Sequence, residues 1–136
     1  MGLVKNMTLM ALTSVGKDSK SLENYMIQKV RIVEFEDIDH NKLRQYTKIF
    51  INGDWIGVHD KGYLIVKRLK KLRRIGKIPD EVSIIHDITN KEIRIFCDAG
   101  RIFRPLFIVK GQSLVLNDSH VAKLRNKEIM FSDLLK

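Results

Sequence analysis

The chain is poor in cysteine, proline and aromatic residues: one Cys, two Pro and 7% Phe, Trp and Tyr in 136 residues. The single cysteine, Cys97, excludes a disulfide framework and any cysteine-rich zinc site. No apolar run approaches the roughly 18 residues that a membrane span requires, and the N-terminus has no signal-peptide layout. A membrane is therefore not an expected partner, and a reducing compartment is. Met1-Gly2 opens like a myristoylation site, but Asn6 stands where Ser or Thr is needed. Disorder is excluded in turn by 44% hydrophobic residues. A chain of this length makes one domain and buries roughly 65–70% of its unfolded surface.

Positive charge is present in excess, and it is concentrated. The formal charge is +9, from 25 Lys and Arg against 16 Asp and Glu. Lys61, Lys67, Arg68, Lys70, Lys71, Arg73, Arg74 and Lys77 fall within 61–77, where there is no acid. The spacing predicts a helix there. Ile65, Leu69 and Leu72 recur at helical intervals, with Leu64 and Ile75 flanking them. Asp60 is the expected N-cap, Gly76 suits a left-handed C-cap, and Pro79 prevents continuation. Lys67, Lys70, Lys71, Arg73 and Arg74 then lie away from the apolar stripe. Such a face either follows a polyanion such as nucleic-acid phosphate, or is a solvated surface paired with acidic groups of a neighbouring protein. The acidic stretch Glu34, Glu36, Asp37 and Asp39 is a candidate source of counter-charge within the molecule.

The remaining pattern mixes hairpins and helices without a regular βαβ alternation, which implies an α+β fold of antiparallel hairpins with a basic amphipathic helix and a C-terminal helix. Met7 to Val15 reads as a strand, 22–30 as a helix, and 31–38 as a strand only partly in phase. The strongest local signal is Asn52-Gly53 between Thr47–Ile51 and Asp54–His59, the pair that best adopts a type I′ turn. A second hairpin is expected from 82–87 and 92–96 around Thr89-Asn90. Asp98-Ala99-Gly100 makes the next turn, with Asp98 holding it and Gly100 supplying the left-handed residue. A strand over 101–109 carries Pro105, which argues for an edge or bulge. A short strand at 113–116, a helix from Asn117 or Asp118 through Lys127, and the start of a helix at 132–136 complete the reading.

A search for catalytic chemistry finds no constellation. Gly16-Lys17 lacks the upstream glycine of a phosphate-binding loop, and Asp18 stands where Ser or Thr should follow. His40, His59, His86 and His120 have no metal-ligand spacing, and Cys97 reads as a buried, inert thiol.

Four blocks in register carry a family resemblance: GLVKNMTLM at 2–10, TKIFINGDWIGVH at 47–59, LKKLRRIGKIPDEVSIIHDI at 69–88 and KEIRIFCDAGRIFRPLFIV at 91–109. They resemble the second-largest subunit of multisubunit DNA-directed RNA polymerase in its RNA polymerase II form, over nearly the whole chain. The family's patterns are GLVKNLxLM, TKVFVNGxWxGxH, LRxLRRxGxIxxEVSxxRDI and KEIxIxTDAGRxxRPLxIV. His86 departs from the usual Arg, Cys97 from the usual Thr, and residues 17–46 are shorter than usual.

The resemblance implies a piece of a longer subunit. Residues 1–16 would be a strand left from the end of the fork-side module, and 17–136 an external-2-like region divisible into 17–78 and 79–136. It also implies a nuclear setting, the other polymerase subunits as partners (chiefly the largest), and DNA and RNA in the assembled enzyme. Catalytic residues, metal ligands and cofactors are expected to be absent from this piece, magnesium being held elsewhere in the nucleotidyltransferase. Lys5 and Asn6 match the segment nearest the nucleic-acid cleft, and either face it or form ordinary strand and turn. Arg101 and Arg104 bracket a turn opened by Asp98-Ala99-Gly100; they suit forked bonds to a carboxylate or phosphate, or tie the turn to Asp87 or Glu92. The alternative is an autonomous basic module that binds nucleic acid, although no aromatic stacking pattern accompanies the charge.

Overall fold

A computed structural model describes residues 2–134. They form two compact units, one combining the chain up to Thr13 with Ile102 onward, the other Ser14–Arg101.

In the Ser14–Arg101 unit, β3 (Thr47–Ile51) and β4 (Asp54–His59) pair antiparallel around Asn52-Gly53. Those two residues have φ of 51° and 96°, as a type I′ turn requires. β5 (Ser83–Asp87) and β6 (Glu92–Phe96) form the second hairpin. Lys91, at φ 53°, takes its left-handed position. The hairpins are joined by α2 (Gly62–Arg74), and β6 lies parallel to β3. With β2 (Val33–Glu34) at one edge, the strand order is β2-β4-β3-β6-β5. A parallel pair needs a long crossover, here supplied by β4, α2 and β5 together.

Alternation along the strands decides what is buried. Ile49 and Ile51 on β3 and Ile93 and Ile95 on β6 enter the core, while Lys48, Phe50 and Arg94 take the other face. Ile65, Val66 and Leu69 of α2 close the same core, with Met26, Ile78, Val82, Ile84 and Cys97. Gly62 begins the helix against β3: a Cβ there would meet Thr47 Oγ1 at 2.7 Å and Cγ2 at 2.8 Å. The helix ends as its sequence demands. Gly76 has φ of 80°, its N–H donates to the Arg73 carbonyl (3.0 Å), and that of Lys77 donates to Leu72 (3.0 Å). α1 (Lys20–Tyr25) continues as a π-helical turn, Met26–Val30, and stops at left-handed Arg31.

The other unit holds β1 (Leu12–Thr13) paired with β7 (Ile102–Phe103), the pair β8 (Val109–Lys110) and β9 (Ser113–Leu114), and α3 (Asp118–Arg125). Asn117 caps α3, accepting from the N–H of His120, whose ring accepts in return from the Asn117 N–H. Phe107 and Phe131 meet edge to face at 6.0 Å.

The α+β class and both hairpins agree with the sequence reading; several local expectations do not. The Met7–Val15 strand contracts to two residues, because β7 offers only two partners, and Leu3, Val4 and Leu9 stand exposed. Residues 31–38 give the two-residue β2 followed by a 3-10 turn, Phe35–Asp37, which matches their faulty alternation. Asp60 is not the N-cap of α2. Lys61 occupies that position, and its N–H donates to His59 Nδ1 at 2.9 Å. The strand expected over 101–109 survives only as β7 and the start of β8, since Pro105 between them has no N–H for a ladder. The chain end forms a 3-10 turn, Phe131–Leu134, and positions 135 and 136 of the expected helix lie outside the described residues.

Candidate functional site

The basic segment becomes the outer face of α2, and its cations divide into two groups. Arg73 Nη1 donates to the carbonyl of Val82 at 2.7 Å, tying the last helical turn to the start of β5. The Arg68 guanidinium sits 5.7 Å from the Tyr25 ring centroid, a cation–π contact with α1. The side chains of Lys67, Lys70, Lys71 and Arg74 have no hydrogen bond or ion pair among the described residues. The acidic stretch does not neutralise them. Asp39 pairs instead with Lys42 at 3.7 Å and caps the 3-10 turn His40–Gln45. Four cations on one helical face, three of them well exposed, thus present positive charge that no ion pair among the described residues offsets.

The Asp98–Arg101 turn is an internal knot. Arg101 Nε meets Asp98 Oδ1 at 2.8 Å, Nη2 donates to the Asp98 carbonyl at 3.1 Å, and Nη1 donates to the Glu81 carbonyl at 2.9 Å. The buried hydroxyl of Ser14 donates to the same Asp98 carbonyl (2.9 Å) and accepts the N–H of Arg101 (3.0 Å). Gly100, at φ 83°, donates its N–H to the Ser14 carbonyl at 2.9 Å. Arg101 is therefore anchored to the turn and to Glu81, not to Asp87 or Glu92 as the sequence suggested. Glu92 instead pairs with Arg94 at 2.7 Å. Asp87 accepts the Asn90 backbone N–H at 3.0 Å and its side-chain amide at 2.8 Å, and these bonds hold the Asp87 carboxyl below the usual aspartate range. Arg104 is exposed between β7 and β8, and Lys5 and Asn6 are exposed in the irregular stretch before β1.

Asn52 does more than turn the chain. Its Oδ1 accepts the N–H of Cys97 at 2.8 Å, and its Nδ2 donates to Cys97 Sγ at 3.2 Å. The hairpin tip thereby satisfies the backbone where β6 ends. Neither this link nor the role of Ser14 has a sequence signal, because each joins residues 45 or more positions apart. Among the described residues no three His, Cys, Asp or Glu side chains come together in a group that could hold a metal, and no helix is long and apolar enough to cross a membrane. The His40 side chain lies outside the described set.

Residues 49–110 match the family model described as RNA polymerase Rpb2, domain 4. The chain is 42% identical, over 98% of its length, to the DNA-directed RNA polymerase II subunit RPB2 of Encephalitozoon cuniculi, and the match covers 12% of that subunit. It is 44% identical to RPB2 of Schizosaccharomyces pombe over 90% of its length and 11% of the relative's. The DNA-directed RNA polymerase subunit Rpo2 of Sulfolobus acidocaldarius is 35% identical over 99% of the chain and 13% of that subunit. The chain thus spans only between 11% and 13% of these relatives.

Proposed function

We infer the function from one premise: the chain belongs to the Rpb2-like family of second-largest subunits of DNA-directed RNA polymerase. It acts as a structural, non-catalytic region of such a subunit and contributes to DNA-templated transcription only within the assembled nucleotidyltransferase. Its partners there are the other polymerase subunits, chiefly the largest, with DNA and RNA. An RNA polymerase II type of enzyme works in the nucleus. Magnesium belongs to the assembled enzyme and is held elsewhere, a reading supported by the donor set: among the described residues no three carboxylate, imidazole or thiol side chains converge.

The observation that carries this reading is the 42% identity to RPB2 across 98% of the chain, joined to a DAGR turn whose arginine bonds within the fold. Such a turn supports its neighbours and offers no group for chemistry. The direct test supplies the purified chain with a primed template, magnesium and labelled nucleoside triphosphates. No incorporation above background is the expected result, and magnesium-dependent turnover would overturn it.

The exposed cations of α2 favour a second role, contact with a polyanion, for which Lys67, Lys70, Lys71 and Arg74 are the candidates. Lys5, Asn6 and Arg104 are weaker candidates for facing nucleic acid, each supported by exposure alone. If the α2 face binds phosphate, affinity for a DNA duplex at low salt falls with a steep salt slope, and Lys71→Glu with Arg74→Glu flattens that slope. An unchanged slope returns these residues to a solvated surface.

A further inference from the structure

Between α1 and the C-terminal end of α2, the Ser14–Arg101 unit holds a half-open cleft of about 630 Å³. Leu22 and Tyr25 line it from α1 and Leu72 from α2, with the buried Ile78, Val82 and Cys97 beneath. Clefts that bind ligands run from roughly 300 to 1,000 Å³ and are mainly apolar with a few placed polar groups. This one is mainly apolar, with two lysines in its lining. These are Lys17 and Lys77; Arg68, over the Tyr25 ring, and Arg73, on the Val82 carbonyl, lie outside the lining. Asp18 is the one acid in the lining, and its Oδ1 accepts the N–H of Lys20 at 3.3 Å.

We propose that this cleft is a docking site for an acidic protein segment that inserts a large apolar side chain. The two features of the site require the two features of the ligand. An apolar wall gains from burying an aromatic or leucine side chain, because the contact removes hydrocarbon from water on both partners. Lys17 and Lys77 steer acidic residues flanking that anchor and penalise basic ones. Nucleic acid fits less well. The lining is mostly hydrocarbon, with one aromatic ring, Tyr25, and two cations, too few for a groove that tracks a phosphate backbone and stacks successive bases. The cleft is also distinct from the Lys67–Arg74 outer face, so an acidic protein segment and a polyanion use different parts of α2.

The test titrates the 136-residue chain into a fluorescein-labelled peptide, Asp-Glu-Phe-Leu-Asp-Glu, and follows anisotropy together with amide chemical shifts. Saturable binding with shifts centred on Leu22, Tyr25 and Leu72 is expected. Replacing the Phe-Leu pair of the peptide by Ala-Ala should weaken binding about tenfold or more, as loss of an interface anchor does. Lys17→Glu with Lys77→Glu, both on exposed positions, should weaken it by about tenfold through lost steering and pairing. Ser21→Trp, which fills the mouth from an exposed lining position without changing charge, should abolish it. Circular dichroism of each variant establishes that the fold is retained. Absence of binding, indifference to the Phe-Leu pair, or shifts confined to Lys67, Lys70, Lys71 and Arg74 would each overturn the proposal. Displacement of the peptide from the cleft by a single-stranded oligonucleotide would overturn it too.

Discussion

Replacing Asn52 separates two contributions that one side chain makes. Its backbone sits at φ 51°, a conformation that glycine adopts freely and alanine does not. Its amide accepts the Cys97 N–H at 2.8 Å and donates to the Cys97 thiol at 3.2 Å. Asn52→Gly keeps the turn and deletes both bonds, leaving a backbone donor in a part-buried site without its acceptor. That loss costs about 1–3 kcal/mol. Asn52→Ala adds the left-handed strain of a β-carbon, about 1–2 kcal/mol more. Urea unfolding at constant pH is the assay, since a shift in midpoint at unchanged slope reports stability directly. With a slope of roughly 1–3 kcal/mol/M, the glycine variant unfolds about 1 M earlier than the parent, and the alanine variant earlier still. A glycine variant as stable as the parent would refute the role assigned to the Asn52–Cys97 link. An alanine variant no worse than glycine would refute the turn geometry.

Four further outcomes follow from the same geometry. Arg73→Ala removes a charged donor from the Val82 carbonyl and costs about 1–3 kcal/mol of stability in urea unfolding, whereas Lys71→Ala, on the exposed face, stays within about 0.5 kcal/mol. Gly62→Val forces a branched side chain into Thr47 and lowers the thermal midpoint by several degrees, with a loss of about 2 kcal/mol or more; an unchanged midpoint would contradict the close approach of α2 to β3. The Asp87 carboxyl, held low by the Asn90 backbone and side-chain bonds, contributes stability that is present above the ordinary aspartate value and is lost as pH falls through its depressed one. A carboxyl-detected pH titration reads this midpoint, and Asn90→Ala raises it towards the ordinary value. Cys97, 1% exposed, reacts with a water-soluble disulfide reagent only when the unit opens, so its labelling rate rises with urea in step with unfolding.

What the sequence disclosed was chiefly local. The Asn52-Gly53 turn, the Gly76 stop and a helix start at Asn117 or Asp118 each depend on a few adjacent residues, and all three stand in the structure, with Asn117 as the cap. The parallel pairing of β3 with β6 was not legible, because residues 48–51 and 92–95 are brought together by the intervening β4, α2 and β5. Asp60 failed as a cap because the helix begins one residue later, with Lys61 in the N-cap position and the Asp60 carboxylate 3.0 Å from His59 Nδ1, an arrangement that spacing does not reveal. In the candidate site, the total charge of α2 was visible but its division was not. Arg68 and Arg73 flank the apolar stripe, but the groups that engage them, Tyr25 and Val82, lie on other elements, which helical periodicity does not show. The cleft beside α1 was invisible for the same reason, since its walls come from three separated stretches of chain.

RNA synthesis by a chimaeric polymerase tests the structural role most directly. The matching stretch of the Schizosaccharomyces pombe RPB2, 44% identical over 130 residues, is replaced by this chain and the enzyme is purified through another subunit. The account predicts that the chimaeric subunit assembles and that the enzyme elongates RNA on a DNA template. A correctly folded chimaera that is excluded from the enzyme, or an assembled enzyme unable to extend RNA, would contradict it.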